Sequence, residues 1–239
     1  MAFTVAIMQP YFLPYAGYFR LLAHSDLFVI YDCVQFPRRG WLHRNQLHDR
    51  TGALRWLTLP LAPAPQSVLI RDLAFPDGGS AEMAERLRPF DLDAPKADDV
   101  AALLDQVRRL EGRPVDYITD LLRAAAGALD LPWRTLRSSS LDIPDTFRGQ
   151  DRIIEIARRL GADRYLNAPG GRDLYDADAF AAANIELAFL APYAGTGGSI
   201  LERLLHDERA ALRANIAIMV NNSESKLPDL QASASEKSR

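Results

Sequence analysis

The chain has 239 residues, 48% hydrophobic and 25% charged, enough for one large core or two small ones and unlike a fibrous or wholly disordered polypeptide. Its 28 Lys and Arg against 31 Asp and Glu leave a net charge of -3, so no overall positive field favours general nucleic-acid binding, although a local basic patch could hold one phosphate. Cys33 is the only cysteine, which excludes an intrachain disulfide and a cysteine-based zinc cluster.

The first segment, Phe3 to Met8, is a short apolar run rich in β-branched residues that stops at Gln9-Pro10, the pattern of a buried strand. Two prolines bracket the aromatic loop Pro10 to Pro14, and apolar residues from Tyr15 to His24 fall at helical spacing. A second buried strand follows at Leu27 to Tyr31. Strand, helix and strand make a βαβ unit, whose right-handed crossover implies a parallel pair with the connecting loop at the carboxyl edge of the sheet. Ligands of open α/β sheets bind at that edge, so 9–15 and 32–45 are expected to face one crevice.

An alternating stretch, Leu54 to Leu59, reads as a half-exposed strand and precedes a Pro/Ala segment. From Ser80 to about Leu129 the periodicity is helical, with segments at Val100–Leu110 and Val115–Leu129 separated by Gly112 and Pro114. After Pro132 the α/β alternation resumes with a strand at 133–136, a helix at 150–160 ended by Gly161, strands at 164–166 and 185–190, and helices at 199–205 and 207–219. The expected organisation is an N-terminal βαβ core with binding loops at 1–75, a helical subdomain at 76–131, the C-terminal α/β part of the same core at 132–220, and a polar, disordered tail at 221–239.

The longest apolar runs, such as Ala179 to Ala183, fall far short of the ~20 residues of a membrane span. The N-terminus lacks the basic start and apolar stretch of an export signal. A cytoplasmic protein without a membrane span is the expectation.

Gln9, Tyr11, Tyr15 and Tyr18 set an amide and three phenols beside the end of the first strand, a combination that suits a flat or amphipathic ligand and equally serves to pack a helix on a sheet. Gly17, one turn into the helix, allows close approach of a ligand or a neighbouring backbone. The stretch from Asp32 to Asn45 carries a carboxylate, the Gln35 amide, the guanidiniums of Arg38, Arg39 and Arg44, the indole of Trp41 and the imidazole of His43. Arginine clamps phosphate or carboxylate and tryptophan stacks on a base, a sugar face or a cation, so the segment reads as a binding loop. Cys33 and His43 are ten residues apart, and that spacing does not establish a nucleophile and base pair. No histidine spacing suggests a metal site, and no motif names a cofactor. A third stretch runs from a strand through Asn167, Gly170 and Gly171 to Tyr175, a sharp turn whose amides could cradle an anion or simply reverse the chain. Gly195 to Ser199 is a similar turn, with Ser199 placed to cap the next helix.

Met8-Gln9-Pro10-Tyr11-Phe12-Leu13-Pro14-Tyr15-Ala16-Gly17-Tyr18-Phe19, with Tyr31-Asp32, Arg39-Gly40-Trp41, Arg44-Asn45, Tyr165-Leu166-Asn167, Gly170-Gly171 and Leu174-Tyr175, resembles the WbqC-like family from about Ala6 to Leu205. The resemblance implies work in surface-polysaccharide or secondary-metabolite biosynthesis: decoration of an amino sugar, free or nucleotide-linked, or of a related amine, by amide formation with an acyl or aminoacyl donor. Cys33 stands where an acidic residue is common in that family, and His43 where Asn is common, which argues against an obligatory role for either. Asp32, Arg39 and Arg44 then become the candidate catalytic residues, Asp32 for the amine proton and the arginines for phosphate or an oxyanion.

The order strand, Pro-containing loop, helix, strand is also similar to the opening of HIGH-type nucleotidylyltransferases and pantothenate synthetase. The expected fold is therefore α/β, a parallel-sheet, Rossmann-like core with a helical insertion. Tyr15-Ala16-Gly17-Tyr18 lies where those enzymes have His-x-Gly-His, and a phenol carries no positive charge at neutral pH. ATP-dependent adenylyl transfer and non-catalytic binding of a nucleotide sugar are the alternative activities. The partner in each case is a small molecule, and the oligomeric state is not legible.

Overall fold

A computed structural model describes residues 2–92, 95, 97–195 and 197–218. The expected tail at 221–239 lies outside the described residues. In chain order the strands are β1 (Thr4–Met8), β2 (Leu27–Ile30), β3 (Arg44–His48), β4 (Leu54–Thr58), β5 (Thr135–Arg137), β6 (Arg164–Asn167) and β7 (Glu186–Phe189). The helices are α1 (Phe19–Ala23), α2 (Gly79–Leu87), α3 (Asp98–Arg108), α4 (Pro114–Ala128), α5 (Gly149–Arg159), α6 (Ala177–Ala182), α7 (Ile200–His206) and α8 (Arg209–Ala217).

Five strands form one parallel sheet in the order β5-β2-β1-β6-β7. The chain moves outward from β1 through β2 to β5, then returns across the sheet to β6 and β7. Strand order therefore reverses between β1 and β6, the position at which open α/β sheets leave a crevice beyond their carboxyl ends. This is an α/β, Rossmann-like architecture.

Both faces of the sheet are covered, which is why β1 reads as a nearly continuous apolar run. Alternate residues divide between two cores. Val5, Ile7, Val29 and Tyr165 pack against Ile153 and Ile156 of α5 and Phe180 of α6, where Tyr165 and Phe180 stack with ring centroids 5.4 Å apart. Ala6, Phe28 and Ile30 face the larger core, which takes in Phe19 of α1, Met83 of α2, Leu103 of α3, Ile118 and Leu122 of α4, Leu201 of α7 and Ile216 of α8. The helices between β4 and β5 thus share one continuous core with the sheet. Pro114 supplies the first residue of α4, where a missing amide hydrogen costs nothing, and Gly161 (φ 68°) turns the chain out of α5 in a left-handed conformation.

Three local features depart from the sequence reading. The helix expected from Tyr15 begins as a 3-10 turn at Ala16–Tyr18 and becomes α-helical only at Phe19. Arg44 to His48, expected to begin in a loop, is strand β3, antiparallel to β4, with Asn45 opposite Leu57 and Gln46 opposite Trp56. Its pattern is inconspicuous because the inward positions are Asn45 and Leu47, only one of them apolar. Helix α6 has no apolar periodicity because it is mostly alanine, and it is started by Asp176, whose carboxylate accepts from the Asp178 amide at 3.0 Å.

Asp32 follows β2 at the carboxyl edge and is fully buried. One carboxylate oxygen accepts from Ser138 Oγ and the Ser139 amide, both at 2.9 Å, and the other from Ser139 Oγ and Arg137 Nε, both at 2.8 Å. Ser138 Oγ in turn accepts from the Asp32 amide at 3.0 Å. This brace ties the ends of β2 and β5 together. Asp32→Ala would leave the hydroxyls of buried Ser138 and half-buried Ser139 without their acceptor and would take one of two carboxylate partners from the Arg137 guanidinium, which keeps Asp116, and the expected cost is about 2–4 kcal/mol. Thermal unfolding should show a melting point lower by roughly 10 °C; a shift within a degree or two would mean that the brace contributes little.

Candidate functional site

The Pro10–Pro14 segment leaves β1 and is held by polar contacts from two distant parts of the chain. Leu13 adopts a left-handed conformation (φ 47°), unusual for a residue with a branched side chain. Its carbonyl accepts from Ser199 Oγ at 3.0 Å and from the side-chain amide of Asn45, which also donates to the Phe12 carbonyl at 3.2 Å. The Phe12 amide donates to the Trp41 carbonyl at 3.1 Å, and the Ile200 amide to the Pro14 carbonyl at 2.8 Å. The loop after β1, the β3–β4 hairpin and the start of α7 are thereby pinned at one point, with Asn45 and Ser199 both buried.

Beside this junction, at the carboxyl ends of β1 and β6, lies a cavity of about 720 Å³. Gln9 and Tyr11 line it from the β1 side, Tyr31 from the end of β2, Trp41, Asn45 and Gln46 from the hairpin, and Asn167, Gly170, Gly171 and Tyr175 from the segment after β6. Tyr15, Tyr18, Gly197 and Gly198 complete its edge. Among the described residues on this wall no side chain is charged.

Several polar groups on the wall make no hydrogen bond to the protein's described residues. These are the side-chain amides of Gln9 and Gln46 and the hydroxyls of Tyr11, Tyr15 and Tyr31. Asn167 uses its carbonyl oxygen to accept from the Ala168 amide at 2.7 Å, and its NH2, packed against Gly171 on the same wall, makes no hydrogen bond to a described residue. Tyr18 is different: it is buried, its hydroxyl donates to the Gln9 carbonyl at 2.9 Å, and its ring lies 5.5 Å from that of Tyr11. Burial raises the pKa of Tyr11, Tyr15, Tyr18 and Tyr31 above the ordinary phenol value. All four therefore remain neutral at physiological pH and work as hydrogen-bonding groups, not as bases.

The sequence candidates divide accordingly. Gln9, Tyr11, Tyr15, Tyr18, Trp41, Asn45, Asn167, Gly170, Gly171 and Tyr175 are brought together on the cavity. Asp32 is taken up by its brace. Arg44 lies on the outer face of the hairpin, its guanidinium 4.3 Å from the centre of the Trp56 ring and bonded to the Arg39 carbonyl at 2.9 Å. Gln35 donates to the Gln66 carbonyl at 2.8 Å, away from the cavity. Gly17 is required by packing, since a methyl group there would collide with the Tyr15 ring and press on that of Tyr193. Gly171 sits equally tightly against Asn167 and Tyr175. Tyr31 and Gln46 escaped the sequence reading; the signal for Tyr31 was its place at the end of a parallel strand, and Gln46 had none.

Cys33 is buried, 3.4 Å from a nitrogen of the Arg152 guanidinium. His43 lies apart from it, edge-on to Phe36 at 5.0 Å. Among the described residues no group of three His, Cys, Asp or Glu could hold a metal ion, and no helix is long and apolar enough to cross a membrane.

A model of the WbqC-like protein family matches residues 9–195. The chain is 27% identical over 191 residues to the uncharacterized protein Rv1507c of Mycobacterium tuberculosis (strain ATCC 25618 / H37Rv), an alignment that covers 77% of this chain and 80% of that one. No solved structure matches the chain with significance.

Gly171→Ala should displace the Asn167 amide and weaken any ligand of the cavity about tenfold or more, measured by calorimetry, with the fold retained by circular dichroism; unchanged affinity would show that Asn167 does not contact the ligand. His43 has a pKa below its ordinary value, chiefly because of burial and then because of Arg44 and Arg86. The unfolded state takes up the proton more readily, so stability is full above the unfolded value of 6.5 and is lost as the pH falls through the lowered folded value. His43→Asn should therefore flatten the fall in melting temperature between pH 7 and pH 5; an unaltered slope would assign that fall to other groups, His24 among them.

Proposed function

This chain belongs to the WbqC-like protein family, and from that premise we propose that its cavity receives an amine-bearing sugar ring and positions the amine for acylation. The observation that carries this reading is the wall itself: free side-chain amides and phenol hydroxyls set among aromatic rings at the strand-order reversal, with no charged side chain among its described residues. Such a surface matches a ring with hydroxyls on its edges and apolar C–H faces. A fixed guanidinium would match a free acid or a phosphate instead, and a fixed carboxylate an ammonium ion.

An uncharged cavity also disfavours an ammonium ion, because charge is costly to desolvate. The bound amine is held as the free base, which is the nucleophilic form. In the proposed reaction the amine nitrogen attacks the carbonyl of an activated acyl donor such as a thioester. The new C–N bond forms as the carbon–sulfur bond breaks, and the amine proton leaves with the thiol. The residues of the wall contribute orientation, with the amides of Gln9, Gln46 or Asn167 as donors toward the carbonyl oxygen as it gains charge. Asp32 acts in this scheme as a positioning residue that fixes the backbone leading into the hairpin.

The same wall favours one second reading, a sugar-binding protein without a reaction of its own, since none of its described residues is a carboxylate, imidazole or ammonium. Adenylyl transfer draws less support. Tyr15 and Tyr18 stand where that chemistry uses imidazoles, and the side chains of Arg39 and Arg44 are not on the wall.

Calorimetric titration with glucosamine, in buffers of different ionisation enthalpy, tests the binding step. Release of close to one proton per amine bound at pH 7 is expected, with Tyr31→Phe and Gln46→Ala each weakening affinity by about 5- to 10-fold. Absence of binding, or binding without proton release, would contradict the proposal. Mass spectrometry of mixtures with acyl thioesters then separates the two readings: an N-acylated product marks the transferase, and tight binding without product marks the binding protein.

A further inference from the structure

We propose that the outer face of the β3–β4 hairpin is a second subsite, which takes the aromatic base and phosphate of a nucleotide-bearing ligand whose other end occupies the cavity. This inference rests on the cavity reading only for what lies at that other end. Arg44, Gln46, Leu54 and Trp56 project to one side of the hairpin, because alternate residues of paired strands share a face. Gln46 and Leu54 line the cavity, so Trp56, opposite Gln46, continues the same surface outward. Trp41 joins it at the mouth, its ring centre 5.2 Å from that of Trp56.

Two features of this surface are unexplained by stability. Both indoles are close to half exposed, 45% for Trp41 and 44% for Trp56, which leaves a large aromatic area in contact with water beside a cavity. The arginines of the segment that leads into β3 also lack carboxylate partners among the described residues. Arg38 donates to the Ala64 carbonyl, Arg44 to the Arg39 carbonyl and over the Trp56 ring, and the Arg39 guanidinium has no partner among the described residues. The Arg44 guanidinium, without a carboxylate partner among the described residues and set against two open indoles, is suited to a planar base with an adjacent phosphate, which stacking and charge-assisted hydrogen bonds recognise together. Such a group has two chemical sources here: a nucleoside diphosphate carrying the sugar, or the nucleotide of a coenzyme A thioester carrying the acyl group.

Calorimetry with UDP and with coenzyme A, each at two salt concentrations, provides the test. At least one of them is expected to bind the wild-type protein. Trp56→Ala should weaken it about tenfold and Trp56→Phe should largely restore it, whereas Arg44→Ala should weaken it and reduce its dependence on salt. Glucosamine binding should be the same in all these variants, which also verifies their fold. Binding of UDP alone assigns the subsite to the sugar carrier, and binding of coenzyme A alone assigns it to the donor. Failure of both to bind, or affinity indifferent to Trp56→Ala and Arg44→Ala, would overturn the subsite. If glucosamine fails while the nucleotide results hold, the cavity reading falls and the subsite stands.

Discussion

The arrangement of the site depends on the carbonyl of Leu13. A left-handed backbone at a leucine costs roughly 1–2 kcal/mol in isolation, so the conformation persists only where its surroundings hold it. Here Ser199 and Asn45, which are 154 residues apart in the chain, converge on the same oxygen, while neighbouring peptide groups of the loop bond to Trp41 and Ile200. One strained peptide therefore fixes three separate segments around the end of the central strand. The sheet determines where a crevice lies; this junction determines which side chains surround it.

The placement of charge follows from that geometry. Asn45 turns inward to reach Leu13, so its neighbour Arg44 turns outward on the same strand and meets Trp56. The carboxylate nearest the strand ends is spent on Ser138, Ser139 and Arg137. What remains on the cavity wall is neutral, polar and aromatic, and its phenols are kept protonated by burial. Such a wall orients a ligand through hydrogen-bonding groups, and none of its described residues is a strong base.

Much of this was legible in the sequence. Gln9, Tyr11 and Tyr15 lie just beyond a recognisable parallel strand, and position at that edge is a property of topology. Asn167, at the end of β6, follows for the same reason. The direction of a side chain on a weakly patterned hairpin was not legible: a shift of one residue exchanges inside for outside, and Arg44 and Asn45 are separated by that one step. The serines that engage Asp32 lie more than a hundred residues along the chain, and no local pattern marks a contact of that kind. Gly17 was recognised as special, and its missing side chain makes room for the rings of Tyr15 and Tyr193.

The measurement closest to the centre of this account is the affinity of the cavity for glucosamine in Ser199→Ala. That hydroxyl is absent from the cavity wall but bonds the Leu13 carbonyl. Loosening of the junction should weaken binding by about tenfold while thermal unfolding stays cooperative, with a loss of about 1–2 kcal/mol in stability. Wild-type affinity in a destabilised Ser199→Ala protein would show that the site keeps its shape without this anchor and would contradict the account.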